Sequence, residues 1–406
     1  MKLRILGGPA LIMLLLSACQ GSGSTSAASS TGSGATAAGS STGSPFGGMS
    51  TGGTVSTGSG PTGGSGGGSS GSATTGATTL GSSTGGVLLG SVTTIAGGGP
   101  GEGETCLAYG ADSNFQVLGI AVDSFGGILA ATGVDLDDVE NDGGLSVVVT
   151  TASYIGTVAI GASGSVFVTD GLEVDQVLAS ALVPVAGGAP GCGDTGSDAG
   201  VGLGGVRALA VGSDGVIYAA GGTTDLTEPC NRIRKIAPDG TTTTLSGEGI
   251  GGFADGPPDV AGFYIPSGIA VDAAGNVYVG DTGNNRIRKV APDGTASTLA
   301  GGYDPGFDDG SGGPQGTATF SDPNGIALDA QGNLYVADRG NYAIRKVAPD
   351  GTTTTIAGNG QEGFMDGTLG RNGTARFYNP VGVALGDAGE IYVADGCWLR
   401  VIRFEQ

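Results

Sequence analysis

The strongest feature of the chain is a pattern of small, apolar and turn-forming residues that returns at a fixed interval. Residues 266–281 read PSGIAVDAAGNVYVGD, and residues 323–338 and 380–395 repeat this pattern with few changes. The equivalent glycines, 57 residues apart, are Gly268, Gly325 and Gly382. Weaker copies begin near Gly119, Thr157 and Ala208, so the pattern indicates six units. Self-similarity at such a period is typical of repeat architectures.

Each complete unit predicts four short strands. Residues 269–271 form a strand of small residues suited to a crowded axis, and residues 277–279 follow after a Gly-Asn turn. Residues 286–290 alternate apolar and basic positions, so that one face is apolar and the other charged. A Pro-Asp-Gly turn then leads into a Thr-rich strand at 297–300. Four strands in each of six units predict an all-β fold, a six-bladed β-propeller.

The two ends of the repeated region predict how the ring closes. Residues 398–404 read as a third strand with no fourth strand after them. Residues 92–97 match the fourth-strand segments at 297–301 and 353–358, but no first three strands precede them. We therefore expect the N-terminal strand to complete the C-terminal blade, which would remove two open sheet edges.

The third strand and the turn before it carry a family resemblance. Residues 278–289, YVGDTGNNRIRK, and their partner at 335–346 resemble NHL repeats. The resemblance implies an NHL-type propeller over residues 87–406, close in units three to five and looser in units one and two. It also implies a protein that acts mainly by binding.

The N-terminus indicates export and anchoring. Residues 1–18 combine Lys2 and Arg4 with an apolar run at 11–16 that is too short to span a bilayer. The run ends at Cys19, and this junction resembles the lipobox of bacterial lipoproteins, which implies acylation of Cys19. Gln20 follows, which implies the outer membrane or cell surface in the cell envelope. The alternative is an ordinary secretory signal that happens to contain a cysteine.

Residues 19–86 predict a linker between the acylated cysteine and the propeller. They are almost entirely Gly, Ser, Thr and Ala, with no charge. Such a segment cannot bury enough surface to offset the entropy of ordering, so we expect it to be disordered. It would serve as a tether, and O-glycosylation of its hydroxyls is the alternative role.

Charge and composition exclude several functions. The formal net charge is −21 and there is no histidine. An acidic body repels nucleic acid, so we expect none as a partner, and membrane contact only through the lipid. The lack of histidine removes the commonest general base and the commonest metal ligand. We therefore expect a monomeric binding protein more than an enzyme.

Besides Cys19, the chain has an even number of cysteines, which suggests two disulfides in an exported protein. The four are Cys106, Cys192, Cys230 and Cys397. Their places in the repeats favour Cys106–Cys397, across the ring closure, and Cys192–Cys230, before the third unit. The pairing is less secure than the oxidation, and free thiols are the alternative.

Four aspartates end the second strand of their units and predict a partial ring near one mouth of the channel. They are Asp170, Asp281, Asp338 and Asp395. One interpretation is a site for a cation or a polar ligand. The other is structural: each carboxylate accepts backbone N–H groups of the next turn or pairs with a nearby arginine.

A second acidic cluster lies at residues 135–143. Asp138, Glu140 and Asp142 imitate the start of a calcium-binding loop, but Val149 stands where a bidentate glutamate would be needed. The alternative is a solvated acidic loop. Ca²⁺ is the only cofactor that the sequence suggests.

A third repeated phrase is Gly-Phe-x-Asp-Gly, at 252–256, 306–310 and 363–367. Recurrence in three units predicts that it packs the loops before units four to six against the blades. Two functional hypotheses follow for the whole chain. The first is a binding or scaffold module whose loop face takes a protein or a glycan. The alternative is a divalent-cation-dependent hydrolase of the gluconolactonase type.

Overall fold

The computed structural model describes residues 90–97, 116–140, 144–189, 191–193, 195–196, 202–222 and 230–405. Within these ranges the protein is all-β apart from two short 3₁₀ turns, Thr282–Asn284 and Arg339–Asn341. None of the helices in these ranges is long and apolar enough to cross a membrane. The predicted signal peptide, the predicted lipidation site Cys19 and the predicted linker lie outside the described residues.

The strands form six antiparallel sheets, which confirms the predicted six-bladed propeller. We label the strands of each blade A to D from the axis outward. Blade 1 contains Gly119–Val122, Ile128–Ala131, Gly133–Val139 and Leu145–Ile155. Blade 2 contains Thr157–Ile160, Val166–Thr169, Glu173–Leu178 and Ala181–Gly187. Blade 3 contains Val206–Val211, Ile217–Gly221, Asn231–Ile236 and Thr242–Gly249, with Thr195–Gly196 added at its outer edge.

The remaining blades follow the same plan. Blade 4 contains Pro266–Val271, Val277–Asp281, Arg286–Val290 and Ala296–Gly301. Blade 5 contains Pro323–Leu328, Leu334–Asp338, Ala343–Val347 and Thr353–Ala357. Blade 6 contains Pro380–Leu385, Ile391–Asp395 and Trp398–Phe404, and Gly90–Gly97 is its strand D, with Gly367–Thr368 outside it. Each strand A contacts strand A of both neighbouring blades, so the ring is continuous.

The N-terminal strand closes the ring as predicted. Gly90–Gly97 pairs antiparallel with Trp398–Phe404, in a register that sets Gly90 opposite Phe404 and Val92 opposite Ile402. Val92 is fully buried in the core between blades 5 and 6. The closing strand is therefore held both by a ladder of hydrogen bonds and by apolar packing.

The core lies between neighbouring blades, because the alternating side chains of each sheet meet those of the next. Between blades 4 and 5, for example, Tyr278 and Ile287 of one sheet pack with Leu334 and Val336 of the other. Small residues such as Ala270 occupy strand A, where the blades converge. This crowding explains why the repeat requires small residues at the start of each unit.

The two faces of the propeller are built differently. The turns that join strand A to B and strand C to D lie on one face, which we call the turn face. The other face, the loop face, carries the connecting loops of blades 4, 5 and 6, residues 250–265, 302–322 and 358–379. Each of these loops runs from strand D of one blade to strand A of the next. The loop face is where the recurring Gly-Phe-x-Asp-Gly phrase is found.

Candidate functional site

The connecting loop of blade 4 is fastened to the sheet by one buried arginine. Arg288, on strand C, donates from Nη1 to the carboxylate of Asp281 at 2.8 Å. Its Nη2 donates to the carboxylate of Asp255 and to the carbonyl of Ala254, each at 2.7 Å. Asp281 ends strand B, whereas Asp255 and Ala254 belong to the loop. The guanidinium therefore joins the loop to the blade through charge-assisted hydrogen bonds, which are the stronger kind.

The same arrangement, which we call the arginine latch, occurs in two further blades. In each, an arginine of strand C binds an aspartate of strand B and an aspartate of the connecting loop. The groups are Asp338, Arg345 and Asp309 in blade 5, and Asp395, Arg400 and Asp366 in blade 6. The nitrogen–oxygen distances are 2.6 and 2.9 Å in blade 5 and 3.2 and 2.9 Å in blade 6. In blade 6 the turn between strands B and C is two residues shorter, yet the arginine bridges the same two carboxylates. The arrangement is thus a property of the repeat and not of one loop.

Aromatic rings complete each latch. The guanidinium carbon of Arg288 lies 4.9 Å from the centre of the Phe253 ring and 5.0 Å from that of Phe263. Arg345 lies 5.1 Å from each of Phe307 and Phe320. These are cation–π distances. The phenylalanine and the aspartate of Gly-Phe-x-Asp-Gly therefore both bind the arginine, which confirms that the phrase packs the loop down.

Burial alters the acidity of the strand-B aspartates. It raises the pKa of Asp338 and of Asp395 to about 6, while the paired arginine and the other donors act in the opposite direction. Burial raises the pKa of Asp281 as well. At neutral pH Asp338 and Asp395 are therefore mostly ionised, so the latches of blades 5 and 6 are ion pairs.

These contacts correct the expected ring of carboxylates at the channel mouth. Asp281, Asp338 and Asp395 are fully buried, so they face no open mouth. In each, Oδ1 accepts a backbone N–H of the connecting loop and Oδ2 accepts from the arginine. Asp170 is half-buried, and its Oδ1 accepts the N–H groups of Leu172 and Glu173. The contacts are those of the structural interpretation.

Blades 1 and 2 carry an aspartate in place of the arginine. By strand register, Asp137 and Asp175 take the positions that Arg288 takes in blade 4. Blade 2 also lacks a connecting loop, because Gly156 alone joins it to blade 1. In blade 2 the missing connecting loop goes together with the missing arginine at this position. The sequence pattern did not reveal this link, because the loop aspartate that each arginine binds lies 33, 36 or 34 residues upstream.

Among the described residues neither of the two substituted aspartates has a cationic partner, and burial raises the pKa of both. For Asp175 burial raises the pKa to about 6, and the charges of Glu173 and Asp170 act in the same direction. For Asp137 burial also raises the pKa, although Thr132 donates to it at 2.6 Å. An ionised carboxylate at either site opposes folding.

Replacing Asp175 by asparagine is expected to stabilise the protein at high pH only. The folded-state pKa of about 6 lies above the ordinary value of 3.8, so the ionised form costs stability above pH 6. A pKa raised from 3.8 to about 6 corresponds to at most about 3 kcal/mol, which screening by solvent reduces. Asp175→Asn should therefore add about 1 kcal/mol to the free energy of unfolding at pH 8, and almost nothing at pH 4, where the aspartate is protonated in the folded state. Denaturation at both pH values checks this. Asp259→Asn, at an exposed loop position, is the control. A gain of equal size at both pH values would contradict the explanation.

The acidic segment of blade 1 differs from the expected loop. Residues Gly133–Val139 are strand C, so Asp138 is a strand residue, and Glu140 follows directly. A solvated loop was wrong for this part, because Asp135, Asp137 and their neighbours pair with strand D. Asp142 lies outside the described residues. Within the described ranges, no group of three or more acidic, cysteine or histidine side chains could hold a metal ion.

The cysteines are partly described. Cys192 and Cys230 form a disulfide with their Cα atoms 5.5 Å apart, as predicted. It ties the segment before blade 3 to the start of strand C. Cys397 is also disulfide-bonded. Cys106 lies outside the described residues, so the Cys106–Cys397 pairing stays a prediction.

Large apolar side chains are exposed on the connecting loops. Tyr303 is 80% exposed, and Phe253, Met365 and Tyr378 are between 38% and 45% exposed. Tyr378 packs edge-on against Trp398, with ring centres 6.1 Å apart. Phe253 lies 3.8 Å from the Arg286 guanidinium. The sequence analysis did not single out Tyr303 and Tyr378, because aromatic residues in loops carry no periodic signal.

Two exposed arginines lie near the axis on the same face. Arg207 is the second residue of strand A in blade 3, and Arg339 follows strand B in blade 5. Partial burial lowers the pKa of Arg207, and the charge of Arg339 adds to the effect. Within the described ranges neither forms an ion pair with a carboxylate. In a chain of net charge −21, these two arginines place positive charge at the centre of the loop face.

Comparison with known proteins identifies the repeat. The NHL repeat family matches residues 263–290, 320–347 and 377–404, which lie in blades 4, 5 and 6. Protein SUPPRESSOR OF QUENCHING 1, chloroplastic, of Arabidopsis thaliana is 30% identical over 166 residues, which are 39% of this chain and 16% of that protein. NHL repeat-containing protein 2 of Bos taurus is 36% identical over 152 residues, 34% of this chain and 20% of that protein. The chain thus spans a fifth or less of these relatives.

Solved structures share the fold at low identity. An auxiliary nutrient binding protein from Bacteroides ovatus ATCC 8483 has a TM-score of 0.57 and 19% identity, over 79% of this chain and 78% of that one. A presumed gluconolactonase has a TM-score of 0.51 and 14% identity, over 78% of this chain and 94% of that one. At such identities the likeness shows the propeller fold alone.

Proposed function

We propose, on the premise that three blades carry NHL repeats, that this chain is a binding module of the cell envelope whose loop face takes a protein or a glycan. One observation carries the proposal: the connecting loops that expose aromatic side chains are themselves fastened by buried arginine latches. Binding residues on loops need a rigid scaffold to hold them. Exposed aromatics rimmed by polar groups are typical of recognition surfaces.

The chemistry of the loop face fits recognition of an uncharged or sparsely charged surface. Tyr303 and Tyr378 offer ring faces together with hydroxyl groups, which suit both sugar rings and protein side chains. The net charge of −21 opposes a polyanion such as nucleic acid. Arg207 and Arg339 add donors near the axis without reversing the overall charge.

The proposal includes the anchor. A lipid on Cys19 would hold the protein at the membrane, and residues 20–86 would act as a tether with a reach of roughly 40–50 Å. A propeller on such a tether could contact ligands away from the headgroups. Cys19→Ser should move the full chain from the detergent phase to the aqueous phase in a phase-partition assay. Retention of the variant in the detergent phase would contradict lipid anchoring.

The alternative, a cation-dependent hydrolase of the gluconolactonase type, draws on the shared fold alone. The carboxylates that would have served it, Asp281, Asp338 and Asp395, already accept hydrogen bonds at both oxygens. A binding function therefore accounts for more of the described contacts on the loop face than a hydrolase function does. Lactone turnover that depends on added Ca²⁺ would favour the hydrolase instead.

Removal of the two exposed loop-face tyrosines is expected to weaken binding strongly. The double variant Tyr303→Ala/Tyr378→Ala should reduce retention of envelope proteins or arrayed bacterial glycans by about tenfold or more, because exposed aromatics carry much of the energy of such contacts. Leu178→Ala/Val183→Ala, which removes exposed apolar groups from blade 2, is the matched control. Retention by the tyrosine variant equal to that of wild type would place binding elsewhere.

A further inference from the structure

A cleft opens between blades 2 and 3 on the turn face, away from the connecting loops. Its volume is about 410 Å³, which lies within the range of small-molecule sites, roughly 300–1,000 Å³. Phe167 and Gln176 of blade 2 form one wall, and Val211, Ser213 and Asp214 of blade 3 form the other. None of the residues that line it is cationic.

At the equivalent place between blades 4 and 5, side chains of blade 4 are joined in a network of contacts. There the carboxylate of Asp272 accepts from the Tyr278 hydroxyl at 3.2 Å and from the Asn276 amide at 2.7 Å. Lys289 covers the Tyr278 ring, with its nitrogen 5.5 Å from the ring centre. The same network recurs in blade 5. Blades 4 and 5, whose sequences match closely, therefore share this network, which we call the plug.

Blade 2 has a smaller or shorter residue at each position of this plug. By strand register, Gly161 stands in place of Asp272, Phe167 in place of Tyr278 and Gln176 in place of Lys289. Blade 3 likewise presents Gly212 and Val211 where blade 5 has an aspartate and a leucine. These differences remove a carboxylate, a hydroxyl and a cation together. The cleft results from coordinated substitutions on both of its walls.

The polar groups in the cleft keep unused hydrogen-bonding capacity. Within the described part of the chain, the Gln176 amide and the Ser213 hydroxyl form no hydrogen bond, and neither side chain is fully buried. Asp214 uses Oδ1 to accept the Val216 N–H at 3.1 Å, which leaves Oδ2 to accept from a ligand. Phe167 and Val211 supply an apolar surface beside these groups.

We infer that this cleft binds a neutral, hydroxyl-rich ligand of the size of a monosaccharide. An amide, hydroxyl groups and a carboxylate oxygen match the alternating donors and acceptors of a sugar. The aromatic and aliphatic residues match its C–H face. The carboxylate of Asp214, with no cationic side chain among the described residues that line the cleft, disfavours anionic ligands. This site is separate from the loop face and does not depend on the function proposed for that face.

The test uses the full chain with named sugars. Ligand-observed saturation-transfer NMR and calorimetry with D-glucose, D-galactose and N-acetyl-D-glucosamine should detect binding of at least one of them, and D-glucuronate should bind at least about tenfold more weakly than the best. Gln176→Lys restores the residue that blades 4 and 5 carry, and it should weaken binding by about tenfold or more while leaving the melting temperature unchanged.

The matched control is the reverse change in a plugged blade. Lys289→Gln should leave sugar affinity as in wild type, because the space beside it remains filled by Asp272 and Tyr278. The inference is overturned if none of the three neutral sugars binds, if glucuronate binds as tightly as they do, or if Gln176→Lys keeps wild-type affinity. Loss of loop-face binding in the tyrosine double variant would not change any of these results.

Discussion

Replacing Arg345 by methionine is expected to lower the free energy of unfolding by about 3–5 kcal/mol, since it leaves a buried charge unpaired. Asp338, fully buried, would lose the guanidinium that lies 2.6 Å from its carboxylate. The connecting loop would lose three hydrogen bonds from the same group, to the carboxylate of Asp309 and to the carbonyls of Asp308 and Thr319. Urea denaturation gives the stability, and limited proteolysis at residues 302–322 should show that the loop is released.

Two further variants separate the charge from the packing. Lys346→Met, at the next position but only half-buried over the Tyr335 ring, should cost about 1 kcal/mol or less. The double variant Arg345→Met/Asp338→Asn should recover part of the loss, because no unpaired charge then remains buried. If Arg345→Met costs no more than Lys346→Met, the latch does not hold the loop.

Replacing Val92 by aspartate is expected to open the ring. The side chain is fully buried between blades 5 and 6, and burial of an unpaired carboxylate there should cost about 4 kcal/mol or more. The single tryptophan, Trp398, pairs with the same N-terminal strand at Gly97, so its fluorescence reports on closure directly. Fluorescence-monitored denaturation should show an early transition that wild type lacks.

The neighbouring residue provides the control. Ser91→Asp places the same charge on the same strand, but its side chain is exposed and stands opposite Arg403. It should change stability by less than about 0.5 kcal/mol. Should Val92→Asp fail to fold, Val92→Ala gives a milder test. In this variant the change in Trp398 fluorescence should still precede the unfolding of the rest of the protein. A cooperative transition at the wild-type position in Val92→Ala would contradict a role of this strand in closure.

The architecture was predictable because it depends on periodic features. The alternation in residues 286–290 defines a strand with two unlike faces, and the spacing of Gly268, Gly325 and Gly382 defines the unit. Ring closure followed from one missing strand at each end. Even the degenerate blades 1 and 2 were located, since their A and B strands keep the apolar pattern when their loops do not.

The candidate site could not be predicted in the same way. The strand-B aspartates were recognised as a set, but the sequence does not show that Arg288 and Asp255, 33 residues apart, would meet and cover Asp281. By strand register Asp175 takes the position of Arg288, yet nothing in the sequence distinguishes it from an acidic residue on the surface. Tertiary contacts between a loop and a distant strand decide whether a carboxylate is buried, and no local period encodes them.

The pairing of Gly90 with Phe404 has a consequence for how the protein is made. Thr93 and Arg403, which are in contact across this seam, are 310 residues apart in the chain. The first strand of the propeller to be synthesised therefore remains without its partner strand until residues 398–404 have followed. During that interval the backbone N–H and C=O groups of this strand are unpaired. The same groups at the open edge of each sheet formed meanwhile are unpaired as well. Contacts of such long range make folding slow. We expect the interval before closure to be the stage at which the chain is most prone to self-association.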